Sequence, residues 1–184
     1  ELQAAVSPLE LLDKLSRGDV TQAELALIEG WNIRQVRAAL DGHAFLRHDS
    51  AGMDDAELLR RVGAVEAHPE GLFFPDTYLF AKGSSDFDVL RRAYRTQQRH
   101  LAREWESREP GLPYRTPYQA LIMASVIEKE TGRATDREMV AGALSNRLRI
   151  GMRLQADPTV IYGLGAAFDG NLRRRHLEED GPYN

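Results

Sequence analysis

The sequence places two carboxylates, Glu128 and Glu130, directly after the apolar run Ala120–Ile127. If this run is a helix, both glutamates lie in its last turn, where the negative end of the helix dipole and apolar surroundings disfavour a charged carboxylate. Such a place favours the protonated glutamate that a general acid needs. The alternative is a pair of solvated surface glutamates, which are common near helix ends and carry no chemistry.

The helix that must position these glutamates has clear end signals. Thr116 is a predicted N-cap, Pro117 suits the first turn, and Gln119 completes a capping box. Gly132 predicts a left-handed end. Because Ala120–Ile127 is apolar on nearly every side, we expect a buried helix rather than a surface one.

Helical phase does not choose between the two glutamates. Residues three or four apart share a face, so Glu130 lies with Val126, and Glu128 lies with Ala124. Both faces are apolar. The residues alone therefore leave open which carboxylate is the acid.

Two further segments follow the glutamates. Thr135 and Glu138 form a predicted capping box, opening a helix that ends at Gly151. The apolar positions expected to be buried in it are Met139, Val140, Ala143, Leu144 and Leu148. Beyond it, Asp157 is a predicted N-cap for a short turn that starts at Pro158.

Upstream, short strands and helices alternate, which predicts a mixed α+β fold. The predicted elements are a strand at Ala23–Ile28, a helix capped by Asn32, a helix at Asp54–Val62, a strand at Thr77–Phe80 and a long helix from Ser85 to about Ser107. The aromatic loop before the second strand contains Phe73 and Phe74, which could stack on sugar rings or belong to the core.

Composition narrows the possible functions. The 184 residues carry a net charge of −4, so no global positive field indicates nucleic-acid binding. Arginines do cluster along the long helix, and we interpret them as a solvated face. They are Arg91, Arg92, Arg95, Arg99 and Arg103. With no cysteine, and five histidines without metal-ligand spacing, we expect neither a disulfide framework nor a metal site.

Four motifs occur in order: EGLFFPDTYLF from Glu70, ASVIEKETG from Ala124, VAGALSNRLRIGMRLQADPTVIYGLG from Val140, and GPYN from Gly181. Together they resemble the YceG-like family of endolytic murein transglycosylases. The resemblance covers Glu24 to Asn184.

The resemblance implies a reaction and a site. The family cleaves the bond between N-acetylmuramic acid and N-acetylglucosamine in peptidoglycan, with one essential glutamate, and leaves a 1,6-anhydro sugar end. We expect Glu130 in this role, because ETG is similar to the Glu-Ser-Gly signature of lysozyme-like transglycosylases, with Glu128 as second choice. No metal or cofactor is implied. The implied substrate-binding residues are Asn146, Gln155, Asp157, Tyr162, Tyr183 and Asn184.

The resemblance also implies an architecture. Residues 1–45 would be part of a LysM-like subdomain, and residues 46–184 a helix-rich, lysozyme-like catalytic domain that is incomplete at its C-terminal end. It further implies an N-terminal membrane anchor upstream of this chain, an extracytoplasmic or periplasmic location at the cytoplasmic membrane, and work beside peptidoglycan synthases on nascent glycan strands.

Two other functions remain open at this point. A glycan-binding scaffold would use the same cleft without cleaving the strand. A muramidase-type hydrolase would need a second carboxylate, for which Glu70, Asp76 and Asp157 are candidates. A hydrolase leaves a reducing end, whereas a lytic transglycosylase leaves an anhydro end.

Overall fold

The computed structural model describes residues 7–9, 12, 22–179 and 181–183. Contacts between residues divide the chain into two compact units, residues 1–99 and 100–184. Within the described ranges, no helix combines the length and apolar character needed to cross a membrane. Asn184 and most of the first 21 residues lie outside the described part, and with them most of the predicted LysM-like segment before the first strand.

The elements follow the predicted order. The strands are β1 (Gln22–Ala26) and β2 (Thr77–Ala81), and the helices are α1 (Ile33–Asp41), α2 (Asp55–Val62), α3 (Asp86–Glu106), α4 (Pro117–Glu130), α5 (Arg137–Arg149), α6 (Asp157–Leu164) and α7 (Arg174–Glu178). Short 3₁₀ turns at Ala134–Asp136 and Gly165–Ala167 precede α5 and follow α6. A helix-rich α+β fold is therefore confirmed.

The first unit is built on a two-stranded antiparallel sheet. β1 pairs with β2 from Gln22 opposite Ala81 to Ala26 opposite Thr77. Its core contains leucines from several segments, including the fully buried Leu58, Leu72 and Leu90. Phe73 belongs to this core and Phe74 is half-buried, so Phe73 has the packing role rather than the sugar-stacking one.

The second unit packs α4 against both α5 and α6. Met123 and Val126 of α4, Leu144 of α5, and Ala156 form its buried cluster. Four half-buried residues extend the cluster: Tyr114, Ile127, Val140 and Leu154. Removing these side chains from water stabilises the unit, at about 25 cal/mol per Å² of apolar surface.

The prediction that α4 is buried all round is wrong. Only one face is covered: Ile122 is 49% exposed, and Ala124 is exposed as well. An apolar sequence shows that a helix can be buried, but the neighbouring elements decide which faces are covered.

Two predicted helix signals after α4 are also wrong. The helix ends at Glu130, the backbone of its C-cap Thr131 is extended at φ −140°, and Gly132 does not have the positive φ of a left-handed end. The hydroxyl of Thr135 donates to the Asp136 carboxylate at 3.1 Å, within the 3₁₀ turn, instead of capping a helix. This turn lets the chain enter α5 without a side-chain cap.

Two more predictions in this unit need correction. Met139, Ala143 and Leu148 are exposed rather than buried, Met139 by 71%, because the buried stripe of α5 centres on Leu144. Asp157 is the first residue of α6, not its N-cap. The N-cap is Ala156, and its carbonyl accepts hydrogen bonds from the Thr159 amide at 3.1 Å and the Thr159 hydroxyl at 2.8 Å.

Candidate functional site

Helix α4 begins as the sequence predicts. The Thr116 hydroxyl accepts a hydrogen bond from the Gln119 amide at 3.2 Å, and Pro117 occupies the first turn. The Gln119 side chain accepts from the amide of Arg115 at 2.7 Å, one residue earlier than a capping box requires. The start of the helix is thereby fixed, and its last turn carries Glu128 and Glu130.

The two glutamates have different surroundings. Glu128 is ion-paired with Arg137 of α5, with 3.0 Å between its Oε2 and the guanidinium Nη2. Glu130 is exposed, and its carboxylate makes no ion pair or hydrogen bond with any residue that the structure describes. The expectation of a buried glutamate is therefore wrong for Glu130 in this structure. Glu130 is nonetheless the carboxylate that is open to a ligand.

The polar segment between α5 and α6 has an unusual backbone. Gln155 has φ +48°, the one positive value among the described residues other than glycine. Its neighbour Ala156 is 2% exposed in the core, whereas the side chains of Gln155 and Asp157 are exposed on either side of it. The segment therefore presents both predicted site residues outward from a buried anchor.

The structure brings two of the predicted tyrosines together. The rings of Tyr162, on α6, and Tyr183 pack edge to face, with 5.6 Å between centroids. Gly163 makes room for this contact, because a Cβ at this position would lie 2.9 Å from Cδ2 of Tyr183. Both tyrosines remain about half exposed.

Asn146, the predicted site residue on α5, is exposed and accepts a hydrogen bond from Arg149 at 2.7 Å. Arg149 also donates to the carbonyl of Gly111 at 3.3 Å. Asn146 thus has a partner in the same helix, and its helix packs against α4. Asn184, the remaining predicted site residue, lies outside the described residues.

An open groove of about 340 Å³ runs between α4 and α5. Its walls are largely apolar, with small residues on both helices, and one end holds a hydrogen bond of 2.7 Å between Tyr114 and the buried Ser145. The residues along it are Leu112, Tyr114, Ala120, Met123, Ala124, Ile127, Ala141, Gly142, Ser145 and Arg149. The groove offers apolar surface to a ligand that lies along α4.

Of the candidate second carboxylates, two have structural partners in the first unit. Glu70 accepts a hydrogen bond from the amide of Ile33 at 2.9 Å, at the first turn of α1. Asp76 accepts from the amide of Thr77 at 2.7 Å, at the start of β2. Asp157 is the candidate that belongs to the same unit as Glu130. In the described ranges, no three histidine or carboxylate side chains are grouped so as to hold a metal ion.

Three contacts in this unit join residues whose pairing no sequence pattern predicts. Arg137 lies nine residues after Glu128, across a turn, and no helical spacing pairs them. The Tyr114–Ser145 bond joins residues 31 positions apart. Arg147 donates to the carbonyl of Leu154 across the turn that ends α5.

Comparison with known proteins settles the classification, because the model of the YceG-like family matches residues 1–184. The chain belongs to the YceG-like family. The resemblance carried by the four motifs is thereby confirmed over the whole chain.

Two relatives of this YceG-like chain carry the same protein name. A Bacillus subtilis (strain 168) protein named endolytic murein transglycosylase is 33% identical over 152 residues, which cover 82% of this chain and 42% of the relative. A protein of the same name from Streptococcus pneumoniae serotype 2 is 24% identical, over 100% of this chain and 39% of the relative. The chain therefore spans about two-fifths of the length of these relatives.

A solved structure supports the same classification. The crystal structure of a yceG-like protein from Listeria monocytogenes matches with a TM-score of 0.60 and 26% sequence identity. The match covers 100% of this chain and 66% of that one.

Proposed function

We propose that this chain carries the catalytic region of an endolytic lytic transglycosylase that cuts peptidoglycan glycan strands. The observation that carries the proposal is the open carboxylate of Glu130, at the end of α4, in a chain whose relatives are named endolytic murein transglycosylases. Glu130 is the proposed catalytic acid and base. The proposed substrate contacts are polar residues on α5, on α6, in the segment between them and in the GPYN motif.

The proposed reaction needs one carboxyl group. Protonated Glu130 donates its proton to the oxygen between N-acetylmuramic acid and N-acetylglucosamine, and the bond to the muramic C1 breaks. The carboxylate then removes the proton from the muramic C6 hydroxyl, whose oxygen bonds to C1 and closes the 1,6-anhydro ring. No water is consumed, and Glu130 regains its proton for the next cut.

The surroundings of Glu130 support this role once a strand is bound. Glu130 is exposed in the free protein, and a glycan lying along α4 would cover it and exclude water. The positive charge that develops at C1 would be stabilised by the exposed carboxylate of Asp157 and by neighbouring polar groups.

The other proposed substrate contacts come from α5 and α6, which pack against α4, and from the segments that follow these two helices. Asn146 and Gln155 supply amide groups that suit sugar hydroxyls and N-acetyl groups. Tyr162 and Tyr183 supply half-exposed rings that suit the apolar faces of sugars. Asn184 is proposed as a further contact from its place in the GPYN motif.

The setting of the reaction is part of the same proposal. Residues 1–45 are a partial LysM-like subdomain, and residues 46–184 belong to the catalytic domain, which has a lysozyme-like character. The protein works at the outer face of the cytoplasmic membrane, held by an N-terminal anchor, on nascent strands beside peptidoglycan synthases. Family resemblance supports each of these statements.

The test is the identity of the product. Purified, uncross-linked glycan strands are digested with the protein in heavy-oxygen water and analysed by mass spectrometry. The proposal predicts unlabelled anhydro-ended fragments, because no water is consumed. Labelled reducing ends would overturn it in favour of a muramidase-type hydrolase. Strands that are bound but uncut would overturn it in favour of a scaffold.

A further inference from the structure

Arg147 holds both ends of the turn that follows α5. Its backbone carbonyl accepts a hydrogen bond from the amide of Met152 at 2.8 Å. Its guanidinium Nη1 donates to the carbonyl of Leu154 in a close contact. Arg147 thus connects the last turn of α5 to Leu154, three residues before α6 begins at Asp157. Its side chain is only partly exposed.

Gln155 follows directly after Leu154, the residue that Arg147 holds, and has φ +48°. Residues other than glycine, asparagine and aspartate rarely adopt this conformation, because Cβ crowds the backbone. It persists only where the surroundings impose it. Here Leu154 is held by Arg147 and packs on the core, and Ala156 is buried, so the backbone on each side of Gln155 is fixed.

A purely structural turn would be better served by glycine, which enters the left-handed region without strain. Glycine does occupy such a position nearby, at Gly151 with φ +69°. At position 155 the chain instead carries a glutamine whose amide is exposed, with a donor and an acceptor that face solvent. Strain that is kept for an exposed polar side chain indicates a binding role.

We propose that Arg147 is a positioning residue that holds Gln155 in its left-handed conformation, so that the Gln155 amide hydrogen-bonds an N-acetylated sugar of the glycan strand. This inference rests on the proposed function and assigns a new role, to Arg147. Arg147 itself does not contact the substrate. It acts through the Leu154 carbonyl on the direction in which the Gln155 side chain leaves the backbone.

The test compares Gln155→Gly, Arg147→Ala and Arg147→Lys with the unchanged protein. Anhydro-end formation on soluble uncross-linked strands gives kcat and KM, and urea unfolding gives stability. Arg133→Ala removes an exposed arginine of the same unit and controls for the loss of one positive charge.

We expect Gln155→Gly to be at least as stable as the unchanged protein, because the strain is relieved, while KM rises about tenfold and kcat stays nearly constant. Arg147→Ala should raise KM to a similar extent, and Arg147→Lys, which can still donate to Leu154, should recover part of the loss. An unchanged KM for Gln155→Gly would overturn the role of its amide. A fall in kcat and stability at constant KM for Arg147→Ala would show that Arg147 is merely structural.

Binding to intact strands separates this inference from the proposed function. In a Glu130→Gln background, adding Gln155→Gly should weaken strand affinity about tenfold, as expected for one lost hydrogen-bonding group. If the unchanged protein makes no anhydro ends but this loss of affinity occurs, the proposed function fails and the contact stands. If the unchanged protein cleaves strands and the affinity does not change, the contact fails and the function stands.

Discussion

The guanidinium of Arg137 lies 3.0 Å from the carboxylate of Glu128 and joins the last turn of α4 to the first turn of α5. This pair makes the two neighbouring glutamates unequal. Glu128 already has a cationic partner, whereas Glu130 has none among the described residues. The pair therefore favours Glu130 as the residue that meets the substrate.

Breaking this pair should have a small effect on stability. Both side chains are more than a third exposed, and surface ion pairs contribute about 0–1 kcal/mol. We expect Arg137→Ala to lower the free energy of unfolding in urea by less than about 1 kcal/mol, and Glu128→Gln to do the same. A loss well beyond this range for Arg137→Ala alone would show a structural role beyond the ion pair.

The contact between Tyr162 and Tyr183 should depend on Gly163, because glycine has no Cβ. An alanine Cβ would lie 2.9–3.1 Å from three atoms of Tyr183, including its Cβ, so Tyr183 would have to move. We expect Gly163→Ala to give none of the gain of about 0.5–1 kcal/mol that alanine brings inside a helix. In a Tyr183→Ala background the same change should stabilise the protein.

The matched control is Gly142→Ala on α5, where an added Cβ meets nothing within 4 Å. It should stabilise the protein by about 0.5–1 kcal/mol in thermal or urea unfolding. Equal gains at both glycines in the unchanged background would contradict the placement of Tyr183 against α6.

In the first unit, Ser50 supplies two hydrogen bonds to the buried carboxyl group of Asp86. Asp86 is 0% exposed, and its Oδ2 accepts hydrogen bonds from the Ser50 hydroxyl at 2.6 Å and the Ser50 amide at 3.0 Å. Ser50→Ala removes one donor to a buried polar group, so we expect a loss of about 1–3 kcal/mol in urea unfolding. Ser125→Ala, which removes an exposed hydroxyl, is the control. Similar losses of unfolding free energy for both variants would show that the burial of the Ser50–Asp86 hydrogen bond does not add to its contribution to stability.

Asp49 should make stability depend on pH in the acid range. Hydrogen bonds from Arg47 and then from Ser85 lower its pKa to about 2, below the value of about 3.9 in an unfolded chain. The contribution of this carboxylate to stability is therefore present above about pH 4 and lost as the pH falls towards 2. The difference in unfolding free energy between the unchanged protein and Asp49→Asn should shrink over that range. A difference that stays constant from pH 5 to about pH 2 would contradict the lowered pKa.

Local signals in the sequence predicted most of the elements. The Asn32 and Gln35 side chains cap α1 reciprocally, and Asp54 caps α2 at 2.8 Å. Such caps join residues three apart, so the chain needs no tertiary information to specify them. The same holds for the start of α4 at Thr116.

Features that depend on tertiary packing could not be predicted. The exposed face of α4 and the exposed Met139 depend on which helices cover them. The positive φ of Gln155 depends on Arg147 and on the burial of Ala156, and the Tyr162–Tyr183 contact joins residues 21 apart. The sequence identified these tyrosines only through the family motif. Helical phase alone left the choice between Glu128 and Glu130 open, and the family resemblance favoured Glu130.

The catalytic role of Glu130 is tested by comparing two isosteric variants, Glu130→Gln and Glu128→Gln, on purified uncross-linked glycan strands. Mass spectrometry measures the rate at which anhydro-ended fragments form, and urea unfolding confirms that both variants are folded. We expect Glu130→Gln to lower this rate by a factor of at least about 100, the effect of losing a general acid, whereas Glu128→Gln keeps most of the activity. Full activity in Glu130→Gln, together with its loss in a folded Glu128→Gln, would contradict the catalytic role of Glu130.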